Sequence, residues 1–182
     1  MKKKFVLTLL FSWLGLSGLL QAETPRPSMG PVIENFGPYL PVVEPGFATP
    51  TDQPLKAVFD VAQSPEPGEP SRYLETPARY LNMHVGSGVL EENIRAAVVI
   101  HGRATRDLLT DVAFQKRFGM DNPNRALVEA LIAADVEIIL CGQSAAFGGY
   151  GKTELLPGVK LALSAMTALV SLQNQGYRLI AF

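Results

Sequence analysis

Proline placement constrains this chain more than any other feature. Of its 14 Pro, 12 fall before residue 78. Proline cannot continue a helix interior and cannot donate to a sheet ladder. Extended regular structure is therefore pushed toward the C-terminal part, and whole-chain averages describe neither part. Glu23–Pro54 alone holds eight Pro, which predicts an extended lead-in rather than helix or sheet. Its apolar residues, among them Val32, Ile33, Phe36, Tyr39, Val42, Val43 and Phe47, argue for packing along the domain or against a neighbouring subunit.

From Leu55 onward the pattern changes. Lys56–Ala62 (KAVFDVA) reads as a first strand. Leu74, Ala78, Leu81 and Val85 recur at helical spacing, with Thr76 as N-cap, Pro77 as first helical residue and Gly86 or Gly88 as the stop. Arg95–His101 is continuously apolar, as a strand covered on both faces must be. Leu108, Leu109, Val112 and Phe118 predict a helix stopped by Gly119. Asn122-Pro123 opens another, with Leu127, Ala130, Leu131 and Ala134 on its buried stripe. Val136–Cys141 reads as a third strand and Val159–Leu163 as a fourth. Ser164 caps an apolar helix through Gln175, stopped by Gly176, and Tyr177–Phe182 reads as a fifth strand. Strands alternating with helical segments mean βαβ units. The predicted fold class is α/β, a three-layer α/β/α sandwich around a mainly parallel sheet of about five strands over residues 55–182. Strand order is not readable.

The chain begins with three Lys and an apolar run of 16 residues from Phe5 to Leu20. This predicts a secretory signal peptide over Met1–Ala22, cleaved after Ala22. The run falls short of the ~20 residues that span a bilayer, so no stable membrane insertion is expected after cleavage. The expected location is periplasmic or secreted. Cleavage would leave 160 residues and change the net charge from −1 to −4. Neither value offers an electrostatic case for nucleic-acid binding.

In open parallel sheets, ligands bind outside the carboxyl ends of the strands. His101 ends the second strand, followed by Gly102 and Arg103. Cys141 ends the third, followed by Gly142, Gln143 and Ser144. If those strands are neighbours, a spacing of ~5 Å brings the two residues close. Cys141 is the chain's one Cys, so no intrachain disulfide and no Cys-rich zinc site can form. A thiolate is the reactive form, favoured by backbone N–H groups at a turn and by nearby cations. Arg103 and Lys152 are the candidate cations, and His101 can orient or deprotonate an incoming thiol. Spacing alone leaves Cys141 open between an inert buried thiol and a reactive one. It leaves His101 open between a loop hydrogen bond and a chemical role. His84 reads as a helix-terminal residue. Ala146–Thr153 (AFGGYGKT) fits a relaxed phosphate-loop pattern, but Pro157-Gly158 breaks the required helix within about one turn. It reads instead as a Gly-rich loop beside Cys141 that can act as a lid. Two His and one Cys lack the local spacing of a metal site, and no other cofactor is called for.

The segments ARYLNMHV (78–85), VVIHG (98–102), FGMDNPN (118–124), CGQSA (141–145) and LLPGVKLALSAMTALVSLQNQGY (155–177) together resemble the DsrE/DsrF-like sulfur-relay family, in particular its exported branch. The resemblance covers about residues 55–182. It implies an α/β/α sandwich, homo-oligomers (dimer, trimer or hexamer), and a Cys after the third strand that accepts sulfur as a persulfide. Cys141 stands at that place. Asp135 stands where the family pattern has Gly, and Asp tolerates the left-handed conformation. The implied function is an exported sulfur carrier or sulfurtransferase, with donor and acceptor, proteins or small thiols, left open. The alternatives are a non-catalytic module that binds a small ligand or organises an assembly, and a redox sensor working through an intermolecular disulfide.

Overall fold

The computed structural model describes residues 26–182, so the signal segment expected at 1–22 lies outside the described residues. Five strands form one sheet: β1 (Leu55–Val61), β2 (Ile94–Ile100), β3 (Glu137–Cys141), β4 (Lys160–Ala162) and β5 (Arg178–Ala181). Every pairing is parallel, in the order β4-β3-β2-β1-β5. Among the described residues five α-helices accompany them: α1 (Arg72–Gly86), α2 (Asp111–Phe118), α3 (Arg125–Ala133), α4 (Gly142–Phe147) and α5 (Ala165–Asn174).

The order explains the layers. The chain steps from β1 to β4 toward one edge, then α5 carries it back to the opposite edge at β5. Right-handed crossovers place the helix of such a reversed step on the other face. Strand alternation follows suit. Phe59, Val98 and Ile138 pack with residues of α1 and α3 such as Leu81 and Leu131. Val58, Ala97, Val99, Ile139 and Cys141 pack against Ala165, Ala168 and Leu172 of α5. The three-layer α/β sandwich expected from the sequence is present. In β2 every residue from Ala96 to Ile100 is buried, which accounts for its uninterrupted apolar reading.

Several boundaries differ from the sequence reading. Helix α1 starts five residues before Pro77, with Ser71 as N-cap accepting the Leu74 N–H at 3.3 Å. Thr76 and Pro77 lie inside the helix, where the Thr76 hydroxyl donates to the Arg72 carbonyl at 3.0 Å. Burial of Leu74 and Pro77 itself favours the longer helix over the capping pattern that Thr-Pro imitates. The helix expected from Leu108 starts instead at Asp111, capped by Thr110, after a run of 3-10 turns over Gly102–Leu108. Leu108 and Leu109 are both fully buried while Val112 is 80% exposed, so the three do not share one helical stripe. Strands β4 and β5 are shorter than their apolar runs. Helix α3, expected to open at Asn122-Pro123, starts two residues later at Arg125 with Asn124 as N-cap, whereas Gly119 closes α2 in the left-handed region and Ser164 caps α5 by accepting the Thr167 N–H at 3.1 Å, as expected. Asp135 sits at φ 57° just before β3.

The described lead-in folds back on α1. Ser28 and Tyr39 pair through reciprocal backbone hydrogen bonds of 2.8 and 3.0 Å. Between them, the fully buried Asn82 accepts the Ile33 N–H at 2.9 Å and donates to the Phe36 carbonyl at 2.8 Å. Ile33 thereby joins the core. Leu40, Val42, Val43 and Phe47 remain exposed.

Candidate functional site

Strands β1, β2 and β3 are neighbours and end at one edge. Ile100 pairs with Leu140 across β2–β3, so His101 and Cys141 leave adjacent strands at the same level. His101 keeps an extended backbone, with φ −153° and ψ −176°, so alternation continues through it. Asp60, His101 and Cys141 therefore share the face covered by α5. His101 Nε2 lies 2.9 Å from Asp60 Oδ1, both side chains partly exposed. Asp60 is a functional candidate that sequence reasoning passed over. Its only signal there is a carboxylate near the end of an otherwise apolar strand.

Cys141 is 6% exposed and stands at the N-cap position of α4. It also faces the start of α5. Burial pushes its thiol up, but the Ser144 N–H and hydroxyl, the Ala165 N–H and the Gln143 N–H together outweigh that effect and leave it below its ordinary value. The cap makes no closed side-chain hydrogen bond, so these groups act on the sulfur as aimed dipoles. First-turn N–H groups have no partner within their own helix, which is why two helix starts can serve one sulfur. Gly142 makes this approach possible: a Cβ there would lie 2.5 Å from the Ala162 carbonyl oxygen of β4. Ser144 also ties the two loops together, its Oγ accepting the Gly102 N–H at 3.1 Å.

Beside the sulfur lies a cleft of about 810 Å³, walled by Gly102 and Arg103 on one side and by Gln143, Ser144 and Phe147 of α4 on the other. Arg103 is held by Glu66 at 3.1 Å, both side chains mostly exposed. Tyr150 forms the rim, with the Arg117 guanidinium 5.0 Å above its ring. Arg117 donates two hydrogen bonds to Glu154, at 2.8 and 2.9 Å, and one to the Gly149 carbonyl at 3.2 Å. Those Arg117 bonds, with the Gly151 N–H, hold the Glu154 carboxyl down to about 2. The Gly-rich loop is thus tethered on its α2 side. Lys152, offered by the sequence as a second cation, sits on an exposed 3-10 turn past this rim and does not line the cleft. His84 Nδ1 meets the Tyr80 carbonyl of its own helix at 2.8 Å, away from the sheet edge. Among the described residues no group of three or more His, Cys, Asp or Glu is placed to hold a metal ion. No described helix is long and apolar enough to cross a membrane.

The family model for the DsrE/DsrF-like family matches residues 56–182. The chain belongs to the DsrE/DsrF-like family. Among solved structures, a protein of unknown function from Methanobacterium thermoautotrophicum, MTH1491, is similar at 22% identity with a TM-score of 0.55. That likeness covers 70% of this chain and 99% of that one. The ychN protein from E. coli is similar at 18% identity with a TM-score of 0.49, again over 70% of this chain and 99% of that one. No curated protein matches the chain. The match to MTH1491 is a likeness of fold. In this DsrE/DsrF-like domain, the sequence-named residues His101, Arg103, Cys141, Gly142, Gln143 and Ser144 converge on one sheet edge, and Lys152 stands apart. Phe147 and Tyr150 fall in the segment that the sequence places beside Cys141, but their place on the cleft, like that of the Ala165 N–H, depends on strand order.

Proposed function

We propose that this protein is an exported sulfur carrier that holds sulfane sulfur on Cys141 as a persulfide and passes it to an acceptor thiol. The observation that carries the reading is the setting of Cys141, a thiol at the end of β3 drawn toward its ionised form by the starts of α4 and α5 and adjoining Ser144, which lines a cleft. Membership of a family generally related to sulfur relay supports it. Loading proceeds by attack of the Cys141 thiolate on the outer sulfur of a donor persulfide R–S–SH. The new bond joins Cys141 Sγ to that sulfur, the donor S–S bond breaks, and R–S⁻ leaves with the electron pair. Hand-off repeats the exchange with an acceptor thiolate, and neither step changes net oxidation state. In this reading His101, whose ring meets Asp60 at 2.9 Å, takes the acceptor's proton.

The test is intact mass after incubation with a sulfane-sulfur donor. Wild type gains the mass of one sulfur atom, removable by thiol, and Cys141→Ser gains none. An equal gain on the Ser variant, or none on wild type, rejects the reading. Export is tested by the N-terminal sequence of the protein recovered from its native compartment, which should begin at Glu23.

A further inference from the structure

We propose that the sulfur donor is a low-molecular-weight persulfide bearing a carboxylate, seated in the cleft beside α4 with its carboxylate on Arg103. The proposal rests on Cys141 being the sulfur-bearing atom and names what that atom reacts with.

Reach comes first. Cys141 is 6% exposed and does not itself line the cleft, but Ser144, whose hydroxyl acts on the Cys141 sulfur, does. A flat protein surface cannot touch such a sulfur. A slender, unbranched chain end carrying the outer sulfur of a persulfide can. Size agrees: a cleft of about 810 Å³ is in the range that encloses small molecules.

Charge selects the class. Among the described residues Arg103 is the one charged residue lining the cleft, and no acid lines it. Its partner Glu66 stands outside, and the pair is exposed, with side chains 57% and 77% accessible. An exposed pair of that kind is worth little and can be replaced. A carboxylate entering the cleft can take over the guanidinium in the two-pronged geometry that Arg offers. The opposite wall suits the donor's carbon chain, since Phe147 is 98% exposed on α4 and Tyr150 stands at the rim. A donor with a thiol-bearing alkyl chain and a terminal carboxylate satisfies all three features at once.

The experiment compares two donors generated in place, 3-mercaptopropionate persulfide and 2-mercaptoethanol persulfide, which differ by a carboxylate against a hydroxyl. Loading of Cys141 in the purified protein is followed by quenched intact mass. Wild type should load faster from the carboxylate donor. Arg103→Gln should cut the carboxylate-to-hydroxyl rate ratio about tenfold, the effect of losing one charge-assisted contact. Glu66→Gln, which frees the guanidinium, should leave that ratio as large or larger. A ratio near one in wild type, or one that Arg103→Gln does not alter, overturns the proposal. So does loading only from a small folded protein that carries a surface persulfide. All three of those results keep Cys141 as a sulfur carrier, whereas failure of every donor to load Cys141 rejects that reading as well.

Discussion

His101 Nε2 and Asp60 Oδ1 meet at 2.9 Å across β1 and β2, one strand away from Cys141. The carboxylate fixes the ring's orientation, with Nε2–H donating to it and Nδ1 left as the proton acceptor. A ring held this way can accept a proton from an acceptor thiol approaching the Cys141 persulfide. His101→Gln should slow hand-off about a hundredfold, and Asp60→Asn about tenfold, because the amide keeps the shape but loses the charge that fixes the tautomer. Quenched-flow transfer to a small thiol, read by intact mass across pH 6–8, measures both. Equal rates in all three proteins would leave the pair with no part in the transfer.

Ser144 acts on Cys141 through its hydroxyl as well as its backbone. The thiol lies below its ordinary value, so at neutral pH more of it is ionised than in a free Cys. Ser144→Ala removes the hydroxyl while keeping the backbone N–H. The pH profile of Cys141 alkylation by iodoacetamide should move to higher pH, with the neutral-pH rate falling about threefold. The same change frees the Gly102 N–H, which Ser144 Oγ now accepts at 3.1 Å. A profile that does not move assigns the lowering to the backbone groups of Gln143, Ser144 and Ala165 alone.

The legible parts of this protein were those in which burial dictates residue type. β2 and β3 announce themselves because both faces are covered, and Ser164, Gly119 and Gly176 announce helix ends because local backbone chemistry demands such residues there. The start of α1 was misread because Thr76-Pro77 satisfies the local rule for a helix start, while the deciding fact, burial of Leu74, is tertiary. Within the site, His101 and Cys141 follow from strand ends alone. Asp60 does not, since its meaning depends on β1 lying beside β2. Arg103 and Lys152 are equivalent cations in sequence, and only the path of the Gly-rich loop separates them.

Asn82 fastens the lead-in to the domain. Its Oδ1 accepts the Val32 and Ile33 N–H groups at 3.2 and 2.9 Å, and its Nδ2 donates to the carbonyls of Ile33, Phe36 and Gly37. Asn82→Ala leaves these backbone groups without that partner in a buried setting, at a cost of about 2–4 kcal/mol. The urea midpoint should fall, and protease should cut within residues 28–39 before the sheet domain is touched. If cleavage there is unchanged, the Gly37–Glu75 and Arg79–Pro38 contacts suffice to hold the segment.

Asp107 makes stability depend on pH. It is 2% exposed, its Oδ1 accepts the Ser64 hydroxyl at 2.8 Å, and its Oδ2 is buried with no hydrogen-bond partner among the described residues. Burial pushes its carboxyl up to about 6, against the opposing pull of Ser64 and of the Arg106 charge. A carboxyl raised in the folded state adds stability that is fully present below its ordinary value of 3.8 and is lost as pH rises through about 6. The wild-type protein should therefore lose stability between about pH 4 and pH 6, by at most on the order of 3 kcal/mol from this group. Asp107→Asn keeps an acceptor for Ser64 and removes the buried charge, so the variant should lose this component of the slope and exceed wild type at pH 7. Urea midpoints of both proteins at pH 4.5 and pH 7 measure the difference. The same pH dependence in both would mean that Asp107 keeps one protonation state across the range, folded and unfolded alike.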